Sequence, residues 1–239
     1  MQSLAREVEG RTQRLAEASV AHLYDDPFWF ARYGEERARR FGGEDAVFHV
    51  RYLVQALDAK DAGVMERYAR WLQGLLVPRG MSSRHIAQHF QGLHDALVRE
   101  GLTQPPLALE YLRAAEAALH WPEDSARAVH AAQDALVREA LRELSEREGA
   151  PTPGQEVRLG EELLLQLSYV MDALGTKRPG LFPEHARWYA DFWPKRESPY
   201  TYRGLLRALE AALARNPSVS ELPRVTVATG LTVLDKEQS

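Results

Sequence analysis

This chain of 239 residues contains two histidines four residues apart, His85 and His89, whose type and spacing could support metal binding. Residues four apart share one face of a helix, so two imidazoles can reach the same metal ion. Further ligands would have to be His, Asp or Glu, because the chain contains no cysteine. The His-Glu-x-x-His motif is absent, and bare pairs of this kind are common on hydrated helix faces. The sequence therefore predicts no metal centre and no cofactor. If a metal ion were bound, His85 and His89 would be the candidate ligands.

A second candidate is the tripeptide Ala-Arg-Trp, which occurs at 69–71 and again at 186–188. Around a twofold axis, two indoles and two guanidinium groups could hold a flat or anionic ligand by stacking and bidentate hydrogen bonds. The favoured alternative is structural: each Trp packs against a tyrosine of its own half, and each Arg caps or pairs with a neighbouring helix. The ligand-binding set, with one tyrosine added from each half, is Tyr52, Arg70, Trp71, Tyr169, Arg187 and Trp188.

These tripeptides belong to a longer internal repeat. At a spacing of 117 residues, the segment from Gly43 to Trp71 aligns without a gap with the segment from Gly160 to Trp188. Self-similarity of this length predicts a duplicated structural module. The identical pairs are Gly43/Gly160, Glu44/Glu161, Tyr52/Tyr169, Ala56/Ala173, Leu57/Leu174, Lys60/Lys177, Gly63/Gly180, Ala69/Ala186, Arg70/Arg187 and Trp71/Trp188.

Asp45 and His49 also lie four apart and could form an oriented acid/base pair. The second half carries Glu162 and Gln166 at the equivalent positions, so such chemistry would be confined to the first half. We therefore interpret His49 first as a hydrogen-bonded helix residue. The sequence has no phosphate loop, dinucleotide fingerprint, esterase elbow or Glu-x-x-His motif. No catalytic residue is predicted, and an enzyme is not favoured.

An aromatic and arginine-rich segment early in the chain is a candidate interaction surface, since aromatic residues and Arg are enriched in interface cores. It has no good counterpart in the second half, and a duplicated protein tends to place new function where its copies differ. The favoured alternative is that the rings fix their helix onto its own module. The residues of the candidate surface are Phe28, Trp29, Phe30, Tyr33, Arg37 and Arg40.

The elements that must position these residues are helices. Apolar residues recur at spacings of three and four between Pro and Gly breaks, which is typical of core-facing helices. By contrast, the run from Arg224 to Leu234 is rich in Val and Thr and predicts a strand or a hairpin around Thr229-Gly230. Residues 235–239 are expected to be disordered. The predicted helices are 4–23, 28–41, 44–57, 61–76, a fifth that Ser82 or Ser83 caps and Gly101 ends, 107–120, 125–148, 156–174, 183–193 and 199–215.

The predicted fold class is therefore all-α, a tandem duplication of a helical-bundle module about a pseudo-twofold axis, with a short C-terminal β strand or hairpin. The predicted domains are module A at 1–121, module B at 122–216 and an extended tail at 217–239. A net charge of −4 does not favour nucleic acid. No apolar run approaches the ~20 residues of a membrane span, and the first residues lack a signal-peptide pattern. The expected location is the cytoplasm, of a bacterium if the arginine bias reflects a GC-rich genome.

One local pattern resembles a known family. Ala56-Leu57, Asp61, Leu72, Leu75 and Gly80, followed by another amphipathic helix, are similar to the helix pairs of helical cap modules beside cobalamin-binding domains in bacterial regulators. The Trp-x-x-x-Glu-His motif of the photosensing caps is absent, as is Asp-x-His-x-x-Gly. The resemblance therefore implies a helix pair but no cobalamin.

Three functions follow from this reading, in order of preference. The first is a non-enzymatic bacterial protein acting in protein–protein interaction or regulation, through a protein partner or self-association. The second is a sensor or carrier that binds a small aromatic or tetrapyrrole-like ligand between the two modules. The third is a helical metal-dependent enzyme.

Overall fold

The computed structural model of the protein describes residues 3–236, apart from the side chain at position 41. The all-α prediction is confirmed over this range, which contains no β-strand. None of the described helices combines the length and the apolar character that crossing a membrane requires. The helices are α1 (Leu4–Glu9), α2 (Thr12–Val20), α3 (Pro27–Tyr33), α4 (Glu35–Ala59), α5 (Gly63–Leu76), α6 (Ser83–Arg99), α7 (Leu107–Ala117), α8 (Asp124–Glu148), α9 (Pro153–Gly175), α10 (Leu181–Phe192), α11 (Tyr202–Arg215) and α12 (Glu221–Lys236).

The chain divides into two compact units. Unit 1 comprises the chain up to Leu76 together with Ser83–Leu119, and it contains α1 to α7. Unit 2 comprises Val77–Ser82 and the chain from His120 onward, and it contains α8 to α12. Hydrogen bonds tie the short segment to unit 2, since the Tyr169 hydroxyl donates to the Gly80 carbonyl over 2.9 Å.

In unit 1, α2 packs against α4 and α6, and α5 packs against α7. The stripe of α6 with spacings of four, three and four is buried, as that spacing indicates. Its members are Ile86, Phe90, Leu93 and Leu97, each at most 2% exposed. Because this stripe faces the core, other residues of α6 on the same helix face are buried as well.

In unit 2, α8 packs against α9 and α11, and α12 packs against α10 and α11. The Trp121 indole N–H donates to the buried Asp172 carboxylate over 2.8 Å. The same indole lies against Gly175, at the end of α9, where a Cβ would overlap its ring carbons. Trp121 therefore fixes the chain that enters α8 onto the last turn of α9.

The predicted C-terminal strand is wrong. Residues 221–236 form α12, and Asp235 belongs to its last turn, while residues 237–239 of the predicted tail lie outside the described residues. Tertiary packing overrides the β propensity of Val and Thr here, because Val227, Leu231 and Leu234 recur at helical spacing and are buried. Gly230 permits the close packing of α12 on α10, since a Cβ there would lie 2.7 Å from Phe182.

The helix break predicted at Gly42-Gly43 is also wrong, because α4 continues through both glycines. The break lies earlier, at Gly34, whose φ of 78° separates α3 from α4 and is a conformation that favours glycine. Gly42 has a packing role instead, since a Cβ there would lie 2.5 Å from the Tyr24 hydroxyl.

The order Asp26-Pro27 predicts an N-cap followed by the first helical residue, and α3 begins in this way. The Asp26 carboxylate accepts from the Phe28 N–H over 2.8 Å, and Pro27 occupies the first helical position. This cap fixes where α3 begins and therefore which of its aromatic residues face the core.

Candidate functional site

The predicted histidine pair is buried in the core of unit 1. His85 and His89 are 5% and 6% exposed, on the same side of α6 as the apolar stripe. The Trp29 ring centroid lies 5.1 Å from that of His85 and 5.5 Å from that of His89. Phe28 lies closer still to His85, at 4.4 Å. Within residues 3–236, no three His, Asp or Glu side chains are placed to hold a metal ion.

These contacts also place the predicted interaction surface. Phe28 and Trp29 are 0% and 6% exposed, so both rings belong to the core of unit 1 rather than to a surface. The cap at Asp26 sets α3 so that these two residues meet α6, which is the packing role foreseen as the alternative. The other members lie further out: Phe30 and Tyr33 are half-buried, and Arg37 and Arg40 are exposed.

His49 is buried, with 3% of its surface exposed. Its Nδ1 is 2.8 Å from the Tyr68 hydroxyl, so it hydrogen-bonds Tyr68 of α5 rather than Asp45. Its ring centroid is 5.4 Å from that of His89. Burial, with the neighbouring His89, holds the pKa of His49 well below its usual value. Burial and the nearby His22 lower the pKa of His89 to about 4, so both imidazoles are neutral at pH 7.

Asp45 is the unusual group at this site. It is half-buried on α4 and forms no hydrogen bond or ion pair with any of the described residues. Burial and the neighbouring Glu44 raise the pKa of Asp45 to about 6. Its negative charge in turn adds to the burial that raises the pKa of Tyr68. Strongly shifted groups that gather in one place mark a candidate functional site.

Asp45→Asn is expected to stabilise unit 1 at pH 8. The pKa of Asp45 is raised above that of an unfolded chain, so its ionisation destabilises the fold above about pH 6, and this effect disappears below about pH 4. Discounted for partial hydration, the gain is about 1–2 kcal/mol at pH 8. Urea unfolding at pH 8 and at pH 4 measures it, with Asp58→Asn on exposed Asp58 as the control. A gain of equal size at both pH values would contradict the assignment.

An exposed aromatic surface lies beside Asp45. We call it the aromatic face and define it as Phe48, Tyr52 and Trp71, with the ring of Tyr68 beneath. The Tyr52 and Tyr68 rings stack at 3.8 Å with an interplanar angle of 12°, and Trp71 lies 6.1 Å from Tyr68 at 20°. Trp71 is 57% exposed and Phe48 is 48% exposed. Asp45, Phe48 and Tyr52 share one stripe of α4 through spacings of three and four.

Unit 2 places different chemistry at the corresponding positions. Gln166 Oε1 accepts from the Tyr202 hydroxyl over 2.8 Å and lies 3.1 Å from His185 Nε2. The His185 ring stacks on Tyr169 at 3.5 Å. Glu162, at the position of Asp45, pairs with Arg196 over 2.8 Å. The carboxylate that lacks a partner in unit 1 therefore has a cation beside it in unit 2.

The six residues of the predicted ligand set fall three in each unit. In unit 1, Tyr52 and Trp71 both contact Tyr68, and Arg70 pairs with Glu66 over 3.3 Å. In unit 2, the rings pack separately: Tyr169 stacks on His185, Trp188 stacks on Phe192 at 5.3 Å, and Arg187 is exposed.

Sequence reasoning did not single out Phe48 or Tyr68 for the site, and it considered an Asp45–His49 pair as an alternative to the hydrogen-bonded role that His49 has with Tyr68. The signal for Phe48 was present, because Asp45, Phe48, His49 and Tyr52 follow the helical spacing of one stripe. Periodicity alone does not say which end of such a stripe faces solvent, since that depends on the packing of α5 and α6.

Comparison with known proteins does not assign the site. No family model matches the chain, and no curated protein or solved structure shows significant similarity to it.

Proposed function

We propose that this is a non-enzymatic binding protein, and that unit 1 binds a protein partner on the aromatic face with a Lys or Arg of that partner placed against Asp45. The observation that carries the proposal is the pairing of a partner-free, half-buried carboxyl group with two aromatic rings that are about half exposed.

The electrostatics favour a cationic partner. A carboxylate that has lost part of its hydration without gaining a partner is stabilised by an incoming ammonium or guanidinium group. Aromatic faces attract the same groups through their quadrupoles. The Arg51 guanidinium makes such a contact within the chain, since it lies 5.9 Å from the Phe48 ring centroid.

The extent of the face favours a protein over a small molecule. Its rings come from both α4 and α5 and stand at the surface, and exposed Trp is the residue type most often found at the energetic centre of an interface. Clustered exposed aromatic residues of this kind are typical of interaction sites.

We also propose that the two units arose by duplication and that the binding role belongs to unit 1. The repeat at a spacing of 117 residues supports this, as do two matching contacts: positions 49 and 68 interact as 166 and 185 do, and position 52 stacks on 68 as 169 does on 185. The Glu162 carboxylate pairs with Arg196 in unit 2, whereas Asp45 forms no ion pair with any described residue.

Selection from a random peptide display library tests the binding role. We expect the full chain to recover peptides enriched in Lys or Arg next to apolar residues, and the recovered peptides to bind Trp71→Ala and Asp45→Asn at least about tenfold more weakly. Val157→Ser, which removes an exposed apolar side chain of unit 2, is the matched control and should bind normally. Peptides without basic residues, or peptides that bind all variants equally, would contradict the proposal.

The affinity should also depend on pH. A partner cation pairs with ionised Asp45, so binding of the recovered peptides is expected to weaken as the pH falls below about 6. The Asp45→Asn variant should lose this dependence, because its amide does not titrate.

A further inference from the structure

A groove in unit 2 has the composition of a small-ligand site. It is open on one side, has a volume of about 580 Å³, and lies between the turn at Trp193–Arg196, the first turn of α11 and the end of α8. Ligand pockets in proteins range from about 300 to 1,000 Å³. The groove is therefore large enough for an organic molecule of two or three rings.

The floor of the groove is aromatic. Trp193, Tyr200 and Tyr202 are each at most 7% exposed, and all three line it. Their polar atoms are directed away from a ligand: the indole N–H donates to the Tyr200 carbonyl, and the Tyr200 hydroxyl donates to Gly149, both over 2.8 Å. The Tyr202 hydroxyl donates to Gln166 over the same distance. These rings therefore present carbon atoms to the groove, and a flat apolar part of a ligand can pack on them.

The groove is lined by charged side chains of both signs. Three arginines and one glutamate line it. Arg203 is held by Asp235 over 3.2 Å, and Arg147 is held by Glu143 over 3.3 Å. Arg207 is exposed and forms no hydrogen bond or ion pair with any residue between 3 and 236. It also lines an adjoining groove of about 540 Å³.

We propose that this groove binds a small organic carboxylate with a flat, aromatic body, which packs on Trp193 and pairs with Arg207. A guanidinium group matches a carboxylate through two parallel hydrogen bonds. The Glu148 carboxylate lies against Gly204 in the first turn of α11, so the partial positive charge of that helix end faces Glu148, and Arg207 is the cation left for a ligand. This site is independent of the aromatic face in unit 1 and gives the protein a second, small-molecule ligand.

Two matched probes test the site on the full chain. The anion is 2-naphthoate, and the neutral control of the same shape is 2-naphthamide, with both dissociation constants measured by ligand-observed NMR. We expect naphthoate to bind about fivefold more tightly than the amide, the value of one partly hydrated ion pair. Arg207→Gln should bring the two affinities together, whereas Arg158→Gln, on an exposed arginine of α9, should leave the ratio unchanged.

A third variant tests the location of the site. Ala190 lines the groove, and Ala190→Phe fills it without changing any charge, so both probes should bind more weakly. Circular dichroism on each variant establishes that it remains folded. Absence of naphthoate binding up to its solubility limit, equal binding of the two probes to the unmodified chain, or unchanged binding to Ala190→Phe would each overturn the proposal.

Discussion

Replacing Gly92 by alanine is expected to lower the free energy of unfolding of unit 1 by about 3 kcal/mol. Gly92 lies on α6 where that helix crosses α2. A Cβ at this position would overlap the Ser19 carbonyl oxygen and lie 2.6 Å from Cε1 of His22. The first of these neighbours is backbone, so relief requires α2 and α6 to move apart. That movement would open the densely packed core around Leu93 and Phe90, where interior packing tolerates little change.

The matched control for Gly92→Ala is Gly74→Ala. Gly74 is also in the interior of a helix of unit 1, and a Cβ there meets nothing within 4 Å. Alanine should therefore stabilise the unit by about 0.5–1 kcal/mol through its helix propensity and the lower entropy of the unfolded chain. Urea unfolding measures both changes, and hydrogen exchange in peptides from α2 and α6 locates them. Equal effects of the two substitutions would show that the helices do not meet at Gly92.

Acid is expected to destabilise unit 1 through its buried histidines. The pKa of His89 is about 4 in the folded protein and about 6.5 in an unfolded chain. Between these values the unfolded chain binds the extra proton, so stability is complete above about pH 6.5 and falls as the pH approaches 4. The loss from His89 alone is about 3 kcal/mol. His49 acts in the same direction, because its pKa is lowered by the same burial, whereas Asp45 opposes both.

Because Asp45 acts in the opposite sense, the comparison must be made between variants. We compare the unfolding free energy of the natural chain with that of His89→Phe. The difference should be constant above pH 7, and toward pH 4 it should change by about 3 kcal/mol in favour of His89→Phe. Phenylalanine keeps an aromatic ring against Trp29 but carries no titratable nitrogen. Gln55→Ala, at an exposed position of α4 that carries no titratable group, is the control and should parallel the natural chain at every pH. A difference that does not change with pH would mean that His89 is hydrated in the folded protein.

The helical architecture could be predicted from the sequence because most of it is local. The apolar spacing of α6 and the Asp26-Pro27 start of α3 depend on residues within one or two turns, and the structure has both as expected. The predicted C-terminal strand was wrong because the conformation of this segment depends on residues distant in the sequence. Val225 to Val233 prefer strands on propensity alone, but burial of Val227 and Leu231 against neighbouring helices stabilises a helix instead. The helical spacing of Val227, Leu231 and Leu234 was present in the sequence, but the helices that cover these residues could not be identified from it.

The candidate site was predictable only in part for the same reason. The spacing of His85 and His89 correctly indicates one helix face, but not that Trp29 covers it. Asp45 and His49 do share a stripe of α4, yet their chemistry is decided by Tyr68, which lies on another helix and takes the hydrogen bond of His49. The exposure of Trp71 was not foreseen, since a Trp at helical spacing is more often a core residue.

A double-mutant cycle measures directly whether Asp45 and the aromatic face together bind a cationic side chain. Asp45→Asn on the protein is combined with replacement of the basic residue of a selected peptide by its neutral isostere, citrulline for Arg or norleucine for Lys. Calorimetric affinities of the four pairs give the coupling energy. We expect a coupling of about 1 kcal/mol or more at pH 8 that is lost at pH 5, where Asp45 is protonated. A coupling near zero at pH 8 would contradict this proposal.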